Sequence, residues 1–338
     1  MIERLYTEDS KYTTSLSGTG SERELDIQRL KQSFDNLKPF IRFTEDFKLL
    51  DVGCNNGDFL RLFSDKQINL AGIDYSINIK FVADLKEQGV DIREGTDLTV
   101  FSEKFDFISV LHVLEHVDRI HDFLNDIKYS LKYGGTAYIE VPDAERYEAY
   151  YNSPFGYYDL EHINHFTSAS LKKLLARQGF EIQKEFTGDF KMNEALKYPY
   201  IGFIVKKSKI ANIAKYENVF QPNRIEKSFK SYLEKSEKKL TEYSYRGNFE
   251  NTVIYGVGAN TLRTIGLLNT DINLIKYFVD RNKNYHISSI GNKKIYSVDF
   301  LLNDNSSPDV VIFSKLYYNQ IKNNLLNKGF KGNIYSFY

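Results

Sequence analysis

The 338-residue chain has one cysteine, Cys54, no tryptophan, two methionines and six prolines. A single thiol makes neither an internal disulfide nor a thiolate zinc cluster, and its rarity predicts residence in the reducing cytoplasm. Net charge is missing too: 45 Lys and Arg balance 45 Asp and Glu, so the basic excess that neutralises a phosphate backbone is not there and no nucleic-acid partner is expected. No apolar run approaches the roughly 20 residues that a membrane span needs. The charged start MIERLYTEDSKYTT offers no secretory or transit signal. Low-complexity tracts and short solenoid repeats are also lacking. What the chain does have is length for two domains at roughly 150 residues each. Its hydrophobic and charged contents, 42% and 27%, are those of a globular protein, and its aromatic content rests on 25 Tyr and 25 Phe.

Leu25, Ile27, Leu30, Phe34 and Leu37 stand near helical spacing and predict an amphipathic helix over 24–40, ended by Pro39. Short apolar strands follow at FKLLDVG (47–53), NLAGIDY (69–75), DFISVLH (106–112) and TAYIEVP (136–142), alternating with helical stretches. That alternation predicts a parallel, doubly wound α/β sheet. Between the last two strands, Ile120, Phe123, Leu124, Ile127 and Leu131 form the buried stripe of a helix closed by Gly134 and Gly135. A helix after Thr167 carries Leu171, Leu174 and Leu175, and FEIQKEF and YIGFIVKK then read as an antiparallel finish. Residues 208–250 turn lysine-, glutamate- and serine-rich, with Ile225, Phe229, Leu233 and Leu240 on one face of a connecting helix. Four further strands, at 252–258, 274–280, 308–314 and 333–337, predict a second, smaller α/β domain. The expected organisation is an N-terminal segment and helix (1–45), a ligand-binding α/β domain (46–207), a connecting helix (208–250) and a Rossmann-like C-terminal domain (251–338).

The strongest local signal is LLDVGCNNGDFLRLF (49–63). A strand runs into Asp51, and Gly53 and Gly57 flank a tight turn before a helix, where backbone must approach a ligand without a Cβ in the way. About 20 residues on, a second strand ends in Asp74, placed to grip two ribose hydroxyls. The turn reads D-x-G-x-x-x-G rather than a dinucleotide fingerprint, and Asp51 and Asp58 at its rim suit a cationic ligand better than a pyrophosphate. Asn55, Tyr75 and His112 lie at the same turn and strand ends and join the expected binding set. A second cluster is YYDLEHINHFT (157–167), where Glu161 and His162 are adjacent and His165 follows. A histidine beside a carboxylate is a sensible general base; the same residues also suit a plain loop cap before the Leu171 helix. H-x-x-H has no clear third protein ligand nearby in sequence, so no metal site is expected.

The 51–74 pattern resembles the class I S-adenosylmethionine-dependent methyltransferases over roughly residues 24–207. The likeness continues through GTDLT (95–99), SVLHVLEHV (109–117) and LKYGGTAYIEVPD (131–143). It implies a Rossmann-like methyltransferase sheet, S-adenosylmethionine as cofactor, and Asp97 near the adenine. EHINHFT narrows the resemblance to the sugar C-methyltransferases that act on nucleotide-linked keto-sugars and carry E-H-x-x-Y-F-S. Glu161 and His162 then take the acid and histidine positions, and His165 stands where that family usually has tyrosine. Tyr12-Thr13-Thr14-Ser15-Leu16-Ser17 resembles the family's Y-x-S-S-x-S segment and makes Tyr12 an active-site candidate beside Tyr158. The tail, VIYGVGANTL through PDVVIF, resembles its C-terminal domain.

Two departures stand out. The family's cysteine-ligated zinc module is absent, and its tyrosine two places before the glutamate is Asp159 here, leaving Tyr158 one place off register. The implied function is methyl transfer to a nucleotide-linked sugar or related cell-surface glycan precursor in polysaccharide biosynthesis, at carbon through an enolate with His162 as base. Oxygen methylation on the same scaffold, or donor binding without catalysis, are the alternatives. GVGAN (256–260) gives G-x-G after a strand, with Asp280 ending the next. Its third glycine is missing, so it reads as a packing turn or as part of an acceptor-nucleotide pocket, with Arg263, Arg281 and Lys283 as phosphate contacts or solvated charge.

Overall fold

A computed structural model of the chain describes residues 21–101, 104–158, 161–191, 196–208, 216, 222–244, 249–250, 252–315 and 317–337. Tyr12 lies outside the described residues. The chain divides into two compact units, one of 1–150 and 157–229, the other of 151–156 and 230–338, the boundary falling within the helix Pro222–Ser244. Among the described residues no helix is long and apolar enough to cross a membrane.

The first unit is built on strands β1 (Lys48–Val52), β2 (Asn69–Asp74), β3 (Asp91–Glu94), β4 (Phe105–Leu111), β5 (Leu131–Pro142), β6 (Phe180–Lys191) and β7 (Lys197–Lys207). Their order is β3-β2-β1-β4-β5-β7-β6, parallel from β3 to β5, with β7 antiparallel to both β5 and β6. Alternation along β1 sends Leu50 and Val52 to one face and Leu49 to the other, so each face carries its own core. The helix Ser21–Leu37 covers the second face with Leu30 and Leu37, and a 3₁₀ turn at Lys38–Phe40 ends it, as Pro39 requires. The helix Ile120–Ser130 and the helix Ser168–Arg177 cover the first. Leu131 begins β5 rather than extending the helix. The helix after the glycine turn is shorter than its apolar pattern suggests, a single turn at Asp58–Arg61.

The second unit has strands β8 (Val253–Tyr255), β9 (Tyr277–Val279), β10 (Ser289–Ile290), β11 (Lys293–Tyr296), β12 (Val310–Ile312) and β13 (Ile334–Ser336), ordered β10-β11-β9-β8-β12-β13. All pairs are parallel except the β10–β11 hairpin. Ile254, Phe278 and Ile295 pack on one face and Val253, Tyr255, Val279 and Val310 on the other. The buried stripe of the Pro222–Ser244 helix runs along the expected face, with Ile225, Phe229 and Leu240 half-buried, and Leu233 alone falls outside it. Leu233 is exposed, whereas Tyr232 and Ser236 are buried, Ser236 Oγ accepting the Phe155 N–H at 3.1 Å. A serine four residues after a tyrosine on that face supplies the acceptor the incoming loop backbone needs.

Candidate functional site

In an open parallel sheet, ligands bind beyond the carboxyl ends of the strands, where the order reverses, here between β1 and β4. Asp51, Gly53, Asn55, Gly57, Asp74, Tyr75 and His112, all singled out above, lie there. Asp51 sits in β1 between Gly72 of β2 and Ser109 of β4, is 2% exposed, and accepts the Ser109 hydroxyl at 2.7 Å. Burial pushes its pKa up to about 7; the Ser109 bond and the Arg29 charge oppose this, and the Asp74 carboxylate adds to it. Asp74 ends β2 and accepts the backbone N–H groups of Asn55 at 2.8 Å and Ser76 at 3.1 Å. Its pKa is raised as well, again first by burial. Two carboxylates thus lie near one another at a sheet edge, each harder to ionise than usual, an environment that a cation would relieve.

The turn between them is shaped by three left-handed residues, Gly53 (φ 80°), Asn55 (φ 45°) and Gly57 (φ 76°). Asparagine tolerates that region, and its amide N–H is thereby aimed at Asp74. What forbids a side chain at Gly53 is the protein itself: a Cβ there would stand 2.3 Å from Val113 Cγ2. Asp97 follows β3, is exposed, and accepts the N–H and hydroxyl of Thr99 at 2.9 and 2.7 Å, which lowers its pKa. Tyr75 lies beside Asp74 and is half-buried.

His112 leaves β4 with φ 54°, unusual for a branched ring, and lies between two buried glutamates. Its Nδ1 is 3.1 Å from Glu115 Oε1 and its Nε2 3.4 Å from Glu140 Oε1. Burial pulls its pKa down, but the two carboxylates outweigh this and leave it raised. Glu115 and Glu140 are correspondingly held below the usual range, despite burial that pushes them up. Glu140 also accepts Ser33 Oγ at 3.1 Å and Tyr138 Oη at 2.6 Å. Both His112 nitrogens face carboxylates, so its charged ring bridges Glu115 and Glu140. Arg29, from the N-terminal helix, stacks over Phe190 at 5.5 Å and leaves its Nη1 buried without a hydrogen-bond partner among the described residues.

The loop after β5 returns over this edge. Asp143 bridges to Phe166, and Thr167 caps the next helix in a capping box with Ser170. Three bonds bolt the 161–164 stretch to the turn after β4: His116 Nδ1 to Glu161 O at 2.9 Å, Asn164 N to Glu115 O at 3.0 Å, and Asn164 Nδ2 to Val117 O at 2.7 Å. His162 consequently lies against His116, ring centroids 4.8 Å apart, with Glu115 beside both. Glu161 accepts a bond from the His116 ring through its carbonyl, and the Glu115 carboxylate lies by the His162 ring. His165 meets other partners, bonding Tyr147 Oη at 3.1 Å and packing on Tyr158 at 4.8 Å. Stacked rings of Tyr147 and Tyr157, then Tyr198 and Phe190, complete an aromatic wall that reaches His112.

Arg29, Glu115 and Glu140 were not singled out from sequence, whereas His116, with His112 and His165, is an alternative to His162 as base. The signal that could have pointed to Glu115 is the repeat of Leu-Glu-His at 114–116 and 160–162.

Residues 22–185 match the family model described as a methyltransferase domain. The chain is 29% identical over 128 residues to a tRNA U34 carboxymethyltransferase of Campylobacter fetus, covering 36% of this chain and 45% of that protein. It is 27% identical over 174 residues to the C-methyltransferase NovU of Streptomyces niveus, covering 48% of this chain and 40% of that one. The chain therefore spans under half the length of these curated relatives. Among solved structures, the magnesium protoporphyrin IX methyltransferase of Synechocystis PCC 6803 with bound SAH overlays 61% of this chain and 97% of its own at a TM-score of 0.45 and 14% identity.

Proposed function

We propose that this chain, in which residues 22–185 are an S-adenosylmethionine-dependent methyltransferase domain, methylates a carbon of a nucleotide-linked sugar or related glycan precursor, with His162 as the base. The observation that carries the reading is the placement of His162 beside the buried Glu115, on a loop bolted to the β4 end of the sheet edge that holds Asp51 and Asp74.

The residues of that edge fit the donor. Asp51 offers a buried carboxylate to a cationic group, Asp74 at the end of β2 offers acceptors to the ribose hydroxyls, and the Arg29 guanidinium suits the donor's own carboxylate. The donor supplies a methyl group on a sulfonium that leaves as a neutral thioether, so the acceptor is what the protein must activate. His162 takes the proton from the carbon beside the sugar carbonyl, and Glu115 stabilises the imidazolium that forms. Tyr158, with Tyr12 of the N-terminal segment, bonds the enolate oxygen as charge gathers on it. The aromatic wall from Phe190 to Tyr147 gives the sugar and base flat apolar faces.

The test offers labelled donor with a panel of nucleotide-linked keto-sugars, their reduced forms, and bulk tRNA. Turnover of the keto-sugars alone is expected, and His162→Asn should lower it on the order of a hundred to ten thousandfold while donor affinity, set at the other end of the site, stays put. Methylation of the reduced sugars would indicate oxygen transfer. Label in tRNA alone, or donor binding without any turnover, would overturn the proposal.

A further inference from the structure

Glu115, His116 and His162 do more than place a base. Each offers a ligand atom, one carboxylate oxygen and two imidazole nitrogens, and the three atoms all lie within 4.8 Å of one another. This is the donor set of many zinc centres, and it needs no thiolate. In a tetrahedral site with bonds of 2.0–2.1 Å, ligand atoms stand roughly 3.3 Å apart. Glu115 Oε1 and His116 Nε2 are already at 3.9 Å.

Two further observations point to a cation. Glu115 is 1% exposed, and its Oε2 is buried with no hydrogen-bond partner among the described residues. An oxygen in that state carries a desolvation cost that a bound ion removes. His116 is oriented as metal-bound histidines are: its Nδ1 donates to the Glu161 carbonyl at 2.9 Å, which fixes the tautomer and turns the Nε2 lone pair toward Glu115. The loop bonds of Asn164 hold His162 across from them.

We infer that Glu115, His116 and His162 form a zinc site whose occupancy silences the enzyme, because a His162 nitrogen that binds the ion cannot accept a proton. The silencing rests on the proposed role of His162; the binding does not.

The full chain is titrated with Co²⁺, whose visible absorption reports imidazole and carboxylate coordination, and then with Zn²⁺ in competition. One equivalent should bind. His116→Gln should weaken binding at least about tenfold, a loss of the size that metal-site substitutions produce. Glu115→Gln should do the same, but it also removes a partner of His112, so its folding is checked by circular dichroism and His116→Gln is the deciding variant. Independently of any acceptor, zinc should protect His116 and His162 from diethyl pyrocarbonate, mapped by mass spectrometry. With an acceptor in hand, one equivalent of zinc should stop methyl transfer and a chelator restore it, with donor affinity unchanged. No Co²⁺ spectrum, or a spectrum indifferent to His116→Gln, overturns the site and leaves the base assignment standing. Full turnover by the zinc-loaded protein overturns the silencing and, with it, the assignment of His162 as base.

Discussion

Replacing Asp51 with asparagine should stabilise the protein while weakening its hold on the donor. The side chain is 2% exposed, and Ser109 is its one side-chain hydrogen-bond partner among the described residues. Burial lifts the carboxyl from an ordinary 3.8 to about 7. In the native state Asp51 therefore keeps its proton up to about pH 7, whereas the unfolded chain releases it near pH 4. Between those limits the native protein binds more protons, so stability falls as pH rises, by about 1.4 kcal/mol per pH unit, and is level above about 7. The accumulated loss is about 4 kcal/mol. Asparagine does not ionise, and its oxygen keeps the Ser109 bond; its amide costs about 1–3 kcal/mol if left unpaired. At pH 8 the variant should then be more stable by roughly 1–3 kcal/mol, with the advantage gone or reversed at pH 4.5.

Urea unfolding of both proteins at the two pH values measures this difference, and effects of other titrating groups cancel in the comparison. Calorimetric titration with S-adenosylmethionine gives the other half. Loss of a charge-assisted contact worth about 1.5–3 kcal/mol should weaken donor binding ten- to a hundredfold at pH 8. Wild-type affinity should itself decline below pH 7 as Asp51 takes up its proton. A stability difference that does not change with pH, or donor binding equal in both proteins, would refute the reasoning.

Asp74→Ala removes the expected ribose acceptor and the acceptor of the Asn55 and Ser76 N–H groups, so calorimetry should show donor affinity down ten- to a hundredfold. Gly53→Ala sets a Cβ 2.3 Å from Val113 Cγ2 at a φ of 80°, so it should lower stability by more than the roughly 1–2 kcal/mol of a left-handed residue. Adding Val113→Ala should return the steric part in thermal unfolding, leaving the backbone part. His112→Gln leaves Glu115 and Glu140 buried without their cation and should cost about 3–5 kcal/mol in urea unfolding.

The sheet was legible where strands are apolar and central, and hidden where they are short and at an edge. Leu49 to Val52, Ile108 to Leu111 and Ile139 to Val141 announce themselves because both faces of a central parallel strand are covered. Asp91–Glu94 and Lys293–Tyr296 do not, since four residues with one buried side chain each carry little period. The one-turn helix Asp58–Arg61 fell short of its apolar pattern because Leu62 and Phe63 continue the packing in a turn. In the site, Asp51, Gly53, Asn55 and Gly57 were legible because the turn they form is local. The partners of His112 and His162 were not, because they are set by tertiary contact: Ser33 reaches Glu140 across 107 positions and Glu161 reaches His116 across 45.

Four buried or nearly buried carboxylates stand along one sheet edge, and what separates them is compensation. Glu115 and Glu140 share His112 and are held below their ordinary range in spite of full burial. Asp51 and Asp74 have hydroxyl and amide donors but no cation in contact among the described residues, and both are raised. The first pair is held ionised by the fold itself, with Glu115 Oε2 alone left without a hydrogen-bond partner among the described residues, so its removal should register in stability. The second pair is left incomplete by the fold, which is tolerable only if something positively charged arrives from outside. A carboxylate left costly in this way marks ligand contact more sharply than its position in the motif does, because position alone is shared by residues of both kinds.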